Sequence, residues 1–400
     1  MTARTLTSTP TGERGWRRVL RTVHLWTALI LCAPLVVLGL TGSLLVFEHE
    51  LEALVDPVPQ RSLTGGTAQN VDAILAAARA AAPAGATPTM FLAPTGAAGA
   101  AIVRFAPRRG DAPAGAPGGI SAQVFVDPVS LDVLGVREFG AGPVRQIFML
   151  HANLLTRDRS GRAAIGWLGV AMLFLGCSGL VLWWPRASQW RGAFGVRRGA
   201  RGLRLFRELH GAAGIWGLGV FLAVSASGTF LAFPQTISGA VATVLPARDL
   251  RATPTVSRSP DAGRPIAPDA AIAVAQAAAP NTVLRFVGFP ARPDQPFRIA
   301  LARAGDQPGQ PFVTAFVDPY RARVLELRDP VDYSAGETVL AWQHSIHAGQ
   351  GLGWLWRALV FLVGLLPSLF AISGIAMWLI KRRARRAMAV RRVTAGNPAE

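Results

Sequence analysis

Cysteine is scarce in this 400-residue sequence, which contains only Cys32 and Cys177. Both lie within long apolar stretches, whereas a disulfide framework or a thiolate metal cluster requires more cysteines at closer spacing. The sequence also contains no G-x-G-x-x-G loop between a strand and a helix, the motif that binds dinucleotide cofactors. We therefore expect neither a disulfide-stabilised fold nor a dinucleotide-binding domain.

Acidic residues are also few, because 23 Asp and Glu stand against 41 Lys and Arg. Such a balance favours a nucleic-acid-binding protein when the basic residues form one surface. Here they are concentrated beside long apolar stretches, within residues 14–21, 186–207 and 381–392. This pattern is typical of a membrane protein whose positive charges set its orientation. The predicted partner is therefore the lipid bilayer and not nucleic acid.

Four apolar stretches are long enough to cross about 30 Å of hydrocarbon as helices. Arg flanks each stretch on one side only, so the positive-inside rule places both termini and the central basic loop in the cytoplasm. The first stretch exceeds a signal-peptide core and lacks a small-x-small cleavage site, which predicts an uncleaved helix. The predicted segments are a cytoplasmic N-terminus (1–22), four spans (23–47, 164–185, 212–234 and 355–380), two outer loops (48–163 and 235–354), a basic cytoplasmic loop (186–211) and a cytoplasmic tail (381–400).

The two halves of the chain resemble each other, which indicates an internal repeat. The segment "LRTVHLWTALILCAPLVVLGLTGSLLVF" (20–47) aligns without a gap with "FRELHGAAGIWGLGVFLAVSASGTFLAF" (206–233), matching His24 to His210. The second and fourth spans align as well. Their matched positions are Arg162 with Arg357, Ser178-Gly179 with Ser373-Gly374 and, after one gap, His151 with His347.

The outer loops repeat too, since "VFVDPVSLDVLGVRE" (124–138) matches "AFVDPYRARVLELRD" (315–329). An Ala-rich helical segment precedes each of them, at 71–82 and 268–279. A helix followed by short alternating stretches with Asp-Pro turns predicts a small module of one helix and antiparallel strands. The predicted fold is thus an α-helical membrane protein with four transmembrane helices in two tandem repeats, each carrying a small α+β module on the outer side.

The repeat pairs four of the six histidines. His24 and His210 lie at the cytoplasmic ends of the first and third spans, and His151 and His347 lie at the outer ends of the second and fourth. Ionisable residues at membrane depth are costly and usually functional. A structural zinc site requires four ligands, whereas haem supplies four nitrogens itself and needs only two axial histidines. Two bis-histidine haem sites, one near each membrane face, are therefore predicted.

Glycine spacing bears on the same sites. Gly42 follows His24 by 18 residues, and Gly228 follows His210 by the same number. Because 18 residues make about five helical turns, each glycine is predicted on the same face as its histidine, where it leaves room for a flat macrocycle. Ordinary helix packing through small residues is the alternative.

Three further residues belong to the predicted haem-binding set. Arg162 and Arg357 lie near the outer histidines and are suited to pair with haem propionates, with snorkelling to the membrane interface as the alternative. His344 precedes His347 by three residues, so it shares a helical face and is an alternative ligand, a proton donor or an iron-binding group. His49 has no repeat partner and is expected to be exposed.

Several segments together resemble one family. "VHLWTALILCAPLVVLGLTGSLLVFEHEL" (23–51), "MLHANLLTRDRSGRAAIG" (149–166), "GLVLWWPR" (179–186), "LHGAAGIW" (209–216) and "SIHAGQGLGW" (345–354) are similar to the PepSY-associated transmembrane proteins. That family includes the iron-regulated inner-membrane ferrisiderophore reductases. The likeness extends from about residue 16 to residue 386.

The resemblance implies a bacterial inner-membrane protein with PepSY-like periplasmic modules and b-type haem held by His24, His210, His151 and His347. It implies reduction of iron(III) bound to a siderophore, with release of iron(II). A membrane quinol or a cytoplasmic reductase must then donate the electrons, and Arg145, Arg157 and Arg357 are candidates for the docking surface. The alternative is a haem-free, membrane-tethered PepSY regulator of a periplasmic peptidase. A transporter is less consistent with only four helices, with spans that no central charge interrupts, and with polar residues concentrated at the faces.

Overall fold

The computed structural model describes residues 12–55, 66–94, 99–107, 122–138, 142–156, 158–257 and 263–395. Within these ranges, long apolar helices form a bundle, and the two predicted outer loops supply one antiparallel sheet. The helices are α1 (Gly12–Ile30), α2 (Cys32–Leu45), α3 (Glu48–Val55), α4 (Val71–Ala81), α5 (Pro143–Asn153), α6 (Arg159–Trp183), α7 (Trp190–Ala193), α8 (Gly202–Ala232), α9 (Pro234–Ala242), α10 (Pro268–Ala278), α11 (Ala335–Ala341), α12 (Gln343–His347), α13 (Gly353–Gly364) and α14 (Leu366–Ala395). The strands are β1 (Thr87–Leu92), β2 (Ala101–Ala106), β3 (Ala122–Val126), β4 (Val133–Glu138), β5 (Thr282–Gly288), β6 (Phe297–Arg303), β7 (Val313–Val317) and β8 (Val324–Arg328).

Among the described residues, three helical segments are long and apolar enough to cross a membrane: α6, α8 and the segment Gly353–Ala389 formed by α13 and α14. The pair α1 and α2 makes a fourth candidate, bent by 66° at Leu31. These segments confirm the predicted apolar helices. They also extend past the predicted span ends, because α6 begins at Arg159 and α8 at Gly202.

Proline accounts for the bend between α1 and α2. Pro34 has no N–H to donate to the carbonyl of Ile30, and its ring crowds that carbonyl, so the helix cannot continue straight. The prediction that Gly42 shares a helical face with His24 is therefore wrong, because the two residues lie on different arms of a bent pair. His210 and Gly228 both belong to the continuous helix α8, where the spacing argument holds.

The eight strands form one antiparallel sheet in the order β4-β3-β2-β1-β5-β6-β7-β8. Each half contributes a four-stranded meander, and the two meanders join where β1 pairs with β5 through Met90, Phe91 and Leu92. Helices α4 and α10 pack on one face, over buried side chains such as Phe105 and Ile299. The predicted helix-and-strand modules are present, and their union in one sheet was not predicted.

The Asp-Pro turns form as expected. Buried Asp127 accepts hydrogen bonds at Oδ1 from the backbone N–H groups of Val129 and Ser130. Asp318, at the matched place in the second half, accepts from Tyr320 and Arg321 in the same way. Carboxylates that bind their own turn fix the reversal between strands.

A carboxylate pair links the first turns of α4 and α10. Asp269 accepts from the backbone N–H groups of Val71 and Asp72, at 3.0 and 2.8 Å. In return, Asp72 accepts from the N–H of Asp269 at 3.4 Å. Burial, together with the hydrogen bond and charge of Asp269, raises the pKa of Asp72 to about 6. This contact ties the two halves together beyond the β1–β5 joint.

Candidate functional site

The inner pair of histidines, His24 and His210, lines one cavity of about 1340 Å³ inside the helix bundle. Each imidazole is held by a serine on the next candidate membrane span in the chain, α6 for His24 and α14 for His210. His24 Nδ1 lies 2.8 Å from Ser178 Oγ, and His210 Nδ1 lies 2.8 Å from Ser373 Oγ. The structure therefore brings this predicted pair into a common space, with a matching contact at each histidine.

The serine hydroxyls determine which nitrogen of each inner imidazole carries the proton. Ser178 donates its one proton to the carbonyl of Phe174 at 2.6 Å, and Ser373 donates to that of Leu369 at 2.7 Å. Since each hydroxyl has no second proton to give, the histidine Nδ1–H must be the donor in the histidine–serine bond. The neutral tautomer that results leaves the Nε2 lone pair available to a metal.

The outer pair, His151 and His347, forms a tilted ring contact. The ring centroids are 6.0 Å apart, and the ring planes are inclined at 43°. These histidines belong to the short helices α5 and α12, which pack against α2 and α8 respectively. Burial lowers the pKa of both imidazoles, which keeps them neutral. The predicted outer pair is thus assembled from segments distant in the chain.

Backbone carbonyls fix the tautomer of the outer pair. His151 Nδ1 lies 3.1 Å from the carbonyl of Leu38, and His347 Nδ1 lies 3.0 Å from that of Val224. A carbonyl only accepts, so Nδ1–H donates in both cases. The nearby hydroxyls of Thr41 and Ser227 add a second acceptor, at 3.1 and 3.4 Å. Nε2 is again the nitrogen left for coordination.

Gly42 and Gly228 make room for the outer imidazoles. A Cβ added at Gly42 would lie 2.9 Å from His151 Cε1, and one at Gly228 would lie 2.8 Å from His347 Cε1. Real side chains do not approach that closely. The expectation that these glycines leave space for a macrocycle is therefore replaced, because the imidazole edge occupies that space.

The donor set of both pairs fits haem. The outer ring centroids lie 6.0 Å apart, and the inner pair lines one cavity. Within the described ranges, each pair therefore offers two imidazoles and no carboxylate or thiolate ligand. Among the described residues, no group of three or more His, Cys, Asp or Glu side chains could hold a metal ion. Two Nε2 atoms suit a metal that brings the rest of its ligands in a ring.

Arg162 and Arg357 contact protein acceptors at the ends of neighbouring helices. Arg162 donates to the carbonyl of Leu231 near the end of α8, at 3.3 Å. Arg357 donates twice to the carbonyl of Val46 after α2, at 3.1 and 2.9 Å, and binds Glu50 at 2.6 Å. Cations stabilise the carbonyls at helix ends. The pairing of Arg162 and Arg357 with haem propionates stays a prediction.

The remaining predicted residues are placed as follows. His344 is exposed on α12, whereas His347 on the same helix faces His151, so the geometry favours His347 as the outer ligand. His49 is exposed, as expected. Arg145 stacks over Phe148 at 4.7 Å, and Arg157 lies outside the described residues.

The hydroxyl partners of the histidines were missed by the sequence argument. A hydroxyl residue followed by glycine occurs in each of the four apolar segments and contacts a histidine each time. The four dipeptides are Thr41-Gly42, Ser178-Gly179, Ser227-Gly228 and Ser373-Gly374. That recurrence is the signal that would have found them.

Comparison with known proteins gives one informative match. No curated protein matches the chain. The family model described as the PepSY-associated TM region matches residues 21–381, nearly the whole chain. This protein therefore belongs to the PepSY-associated transmembrane family.

Proposed function

We propose that the protein is an inner-membrane, b-type di-haem electron conduit that reduces siderophore-bound iron(III) at the periplasmic face and releases iron(II). In this proposal the chain is a tandem repeat of helix, PepSY-like module and helix. Both termini are cytoplasmic, which puts the inner histidine pair near the cytoplasmic face. A membrane quinol or a cytoplasmic reductase donates the electrons.

One observation carries the proposal: in all four paired histidines, Nδ1 lies within hydrogen-bonding distance of a hydroxyl or a carbonyl, which leaves Nε2 for a metal. A histidine placed by chance at the membrane interface has no need of this arrangement, since water can satisfy either nitrogen. Orientation of the imidazole by an outer hydrogen bond is the usual support of a metal ligand. The arrangement occurs at both ends of the bundle, with hydroxyls or carbonyls as acceptors.

The chain's own residues have separate tasks in this proposal. His24 and His210 hold the inner haem, and His151 and His347 hold the outer haem. Haem, when bound, supplies one-electron transfer at its iron. Ser178 and Ser373 orient the inner ligands, while Gly42 and Gly228 let the outer imidazoles approach the helix backbone.

The acceptor side lies among the outer modules. Arg137 stacks over Phe125 at 5.2 Å, and Arg328 stacks over Phe316 at 4.7 Å, at matched places in the two halves. Both guanidinium groups are paired with carboxylates, Arg137 with Glu52 at 3.4 Å and Arg328 with Glu326 at 2.7 Å, so they stabilise the modules and add little free charge for a substrate.

The test is a haem count on purified full-length protein. A reduced-minus-oxidised absorption spectrum with a pyridine haemochrome assay should give close to two haems b per chain. His24→Ala and His347→Ala should each lose about one, while His49→Ala, which changes an exposed histidine, should keep both. Absence of haem from a well-folded preparation made with ample haem would overturn the proposal. That outcome would favour the haem-free PepSY regulator of a periplasmic peptidase.

A further inference from the structure

Positive charge surrounds the mouth of the cavity that contains His24 and His210. Among the described residues that line this cavity, none is an aspartate or a glutamate. Its cationic lining comes from the start of α1, from α8 and from the second half of α14, and we call it the basic rim. The basic rim consists of Arg18, Arg21, Arg207, Lys381, Arg382, Arg385 and Arg386.

The charges of the basic rim repel one another. The guanidinium groups of Arg21, Arg207 and Arg385 lie near the Lys381 ammonium group. Glu208, which follows Arg207 in the chain, is engaged elsewhere, because it binds Arg197 at 2.9 Å and Arg204 at 3.0 Å. Several cations that converge without a carboxylate among them form a site for an anion.

An apolar groove runs beside the basic rim along the outer surface of α1. It is lined by Thr22, Val23, Trp26, Thr27, Ile30 and Leu31, and both Thr22 and Trp26 also line the cavity. The side chains of Trp26 and Ile30 are 51% and 72% exposed. Large apolar side chains that are this exposed on a candidate membrane helix face lipid. The groove therefore connects the basic rim with the hydrocarbon of the membrane.

We propose that the basic rim binds the headgroup phosphate of an anionic phospholipid, with an acyl chain lying in the groove along α1. One guanidinium group can donate to two phosphate oxygens at once. Basic pockets between membrane helices are suited to anionic headgroups. A soluble phosphate offers the same charge but has no chain for the groove. This proposal is independent of the haem proposal, since two haem propionates would neutralise only two of the seven cations.

The test compares lipid binding to full-length protein by native mass spectrometry in detergent. Phosphatidylglycerol should bind in preference to phosphatidylcholine. Each cation near an anionic group contributes about fivefold in affinity, so Lys381→Gln/Arg385→Gln should weaken phosphatidylglycerol binding by roughly 30-fold. The matched control is Arg191→Gln/Arg198→Gln, which removes two cations from the loop between α6 and α8 that do not line the cavity. The control should bind the lipid nearly as the parent does.

Three results would overturn the proposal. Equal weakening in the control pair would mean diffuse attraction to the whole basic surface. Competition by soluble glycerol phosphate as strong as by the lipid would assign the site to a soluble anion. If the lipid bound only to haem-free protein, the basic rim would be assigned to the haem propionates. If the double variant does not fold, Arg18→Gln serves in its place, with an expected loss of about fivefold.

Discussion

Replacement of Gly228 by alanine tests whether His347 requires the close contact with the backbone of α8 at this position. The new Cβ would lie 2.8 Å from His347 Cε1 and 3.2 Å from its Nδ1. Ordinary contact begins at 3.4 Å, so the ring must move by roughly 0.6 Å, the difference between 3.4 and 2.8 Å. That movement strains the 3.0 Å contact between Nδ1 and the carbonyl of Val224.

Two effects of opposite sign decide how Gly228→Ala changes the free energy of unfolding. Alanine is favoured over glycine inside a helix by about 1 kcal/mol. Overpacking against a fixed neighbour costs about 1–3 kcal/mol. Gly219→Ala in the same helix is the matched control, because a Cβ at Gly219 meets nothing within 4 Å. The control receives only the favourable effect, so the free energies of unfolding of the two variants should differ by about 1–3 kcal/mol.

The assay is thermal unfolding in detergent together with a haem count. Gly228→Ala should unfold at a lower temperature than Gly219→Ala and should lose up to one haem per chain, since the displaced imidazole is a proposed ligand. Gly219→Ala should keep the parent's haem content. The close contact would be refuted as a constraint if Gly228→Ala matched Gly219→Ala in both stability and haem content.

Two more predictions concern a positioning hydroxyl and the carboxylate pair. Ser373→Ala removes the acceptor of His210 Nδ1 and should weaken haem binding at the inner site about 10–100-fold. Ser368→Ala is the control, because the Ser368 hydroxyl has no hydrogen-bond partner among the described residues, and it should not weaken binding. Titration with haem checks both. The pKa of Asp72 is about 6 in the folded protein against an ordinary 3.8, so the folded state binds this proton more tightly than the unfolded state does. The contribution of Asp72 to stability is therefore fully present below about pH 4 and is lost as pH rises through about 6. Asp72→Asn should therefore increase the free energy of unfolding at pH 7.5 by about 1 kcal/mol, after allowance for solvent screening, and leave it unchanged at pH 4. Thermal unfolding at both pH values checks this, and equal effects would contradict the raised pKa of Asp72.

The predictable part of the fold follows from local patterns. Hydropathy located the apolar helices because a membrane-spanning helix must bury about 20 consecutive residues, a requirement that adjacent residues meet by themselves. The Asp-Pro turns were predictable for the same reason, since Asp127 binds N–H groups only two and three residues away. The 18-residue spacing of His24 and Gly42 predicts a common face only for a straight helix. Pro34 is the residue that marks the bend at Leu31.

The candidate site also has a part that the sequence predicts and a part that it does not. The repeat paired His24 with His210 and His151 with His347 without any coordinates, because alignment of the halves needs only sequence. The partners of these histidines could not be assigned in this way. His347 binds Val224 across 123 residues, and His151 binds Leu38 across 113. Such contacts depend on how helices are rotated about their axes, which hydropathy does not specify.

The sequence alone determined that this chain has four apolar segments, two helix-and-strand modules and histidines at matched places, because each of these is a property of neighbouring residues or of repeated order. Only the tertiary structure decided that β1 pairs with β5 to unite the modules, that Nδ1 of each paired histidine is held by a hydroxyl or a carbonyl, and that Gly42 and Gly228 accommodate imidazoles. The physical reason is that strand pairing, hydrogen bonding and close packing join groups far apart in the chain. Their geometry exists only once the elements have been packed.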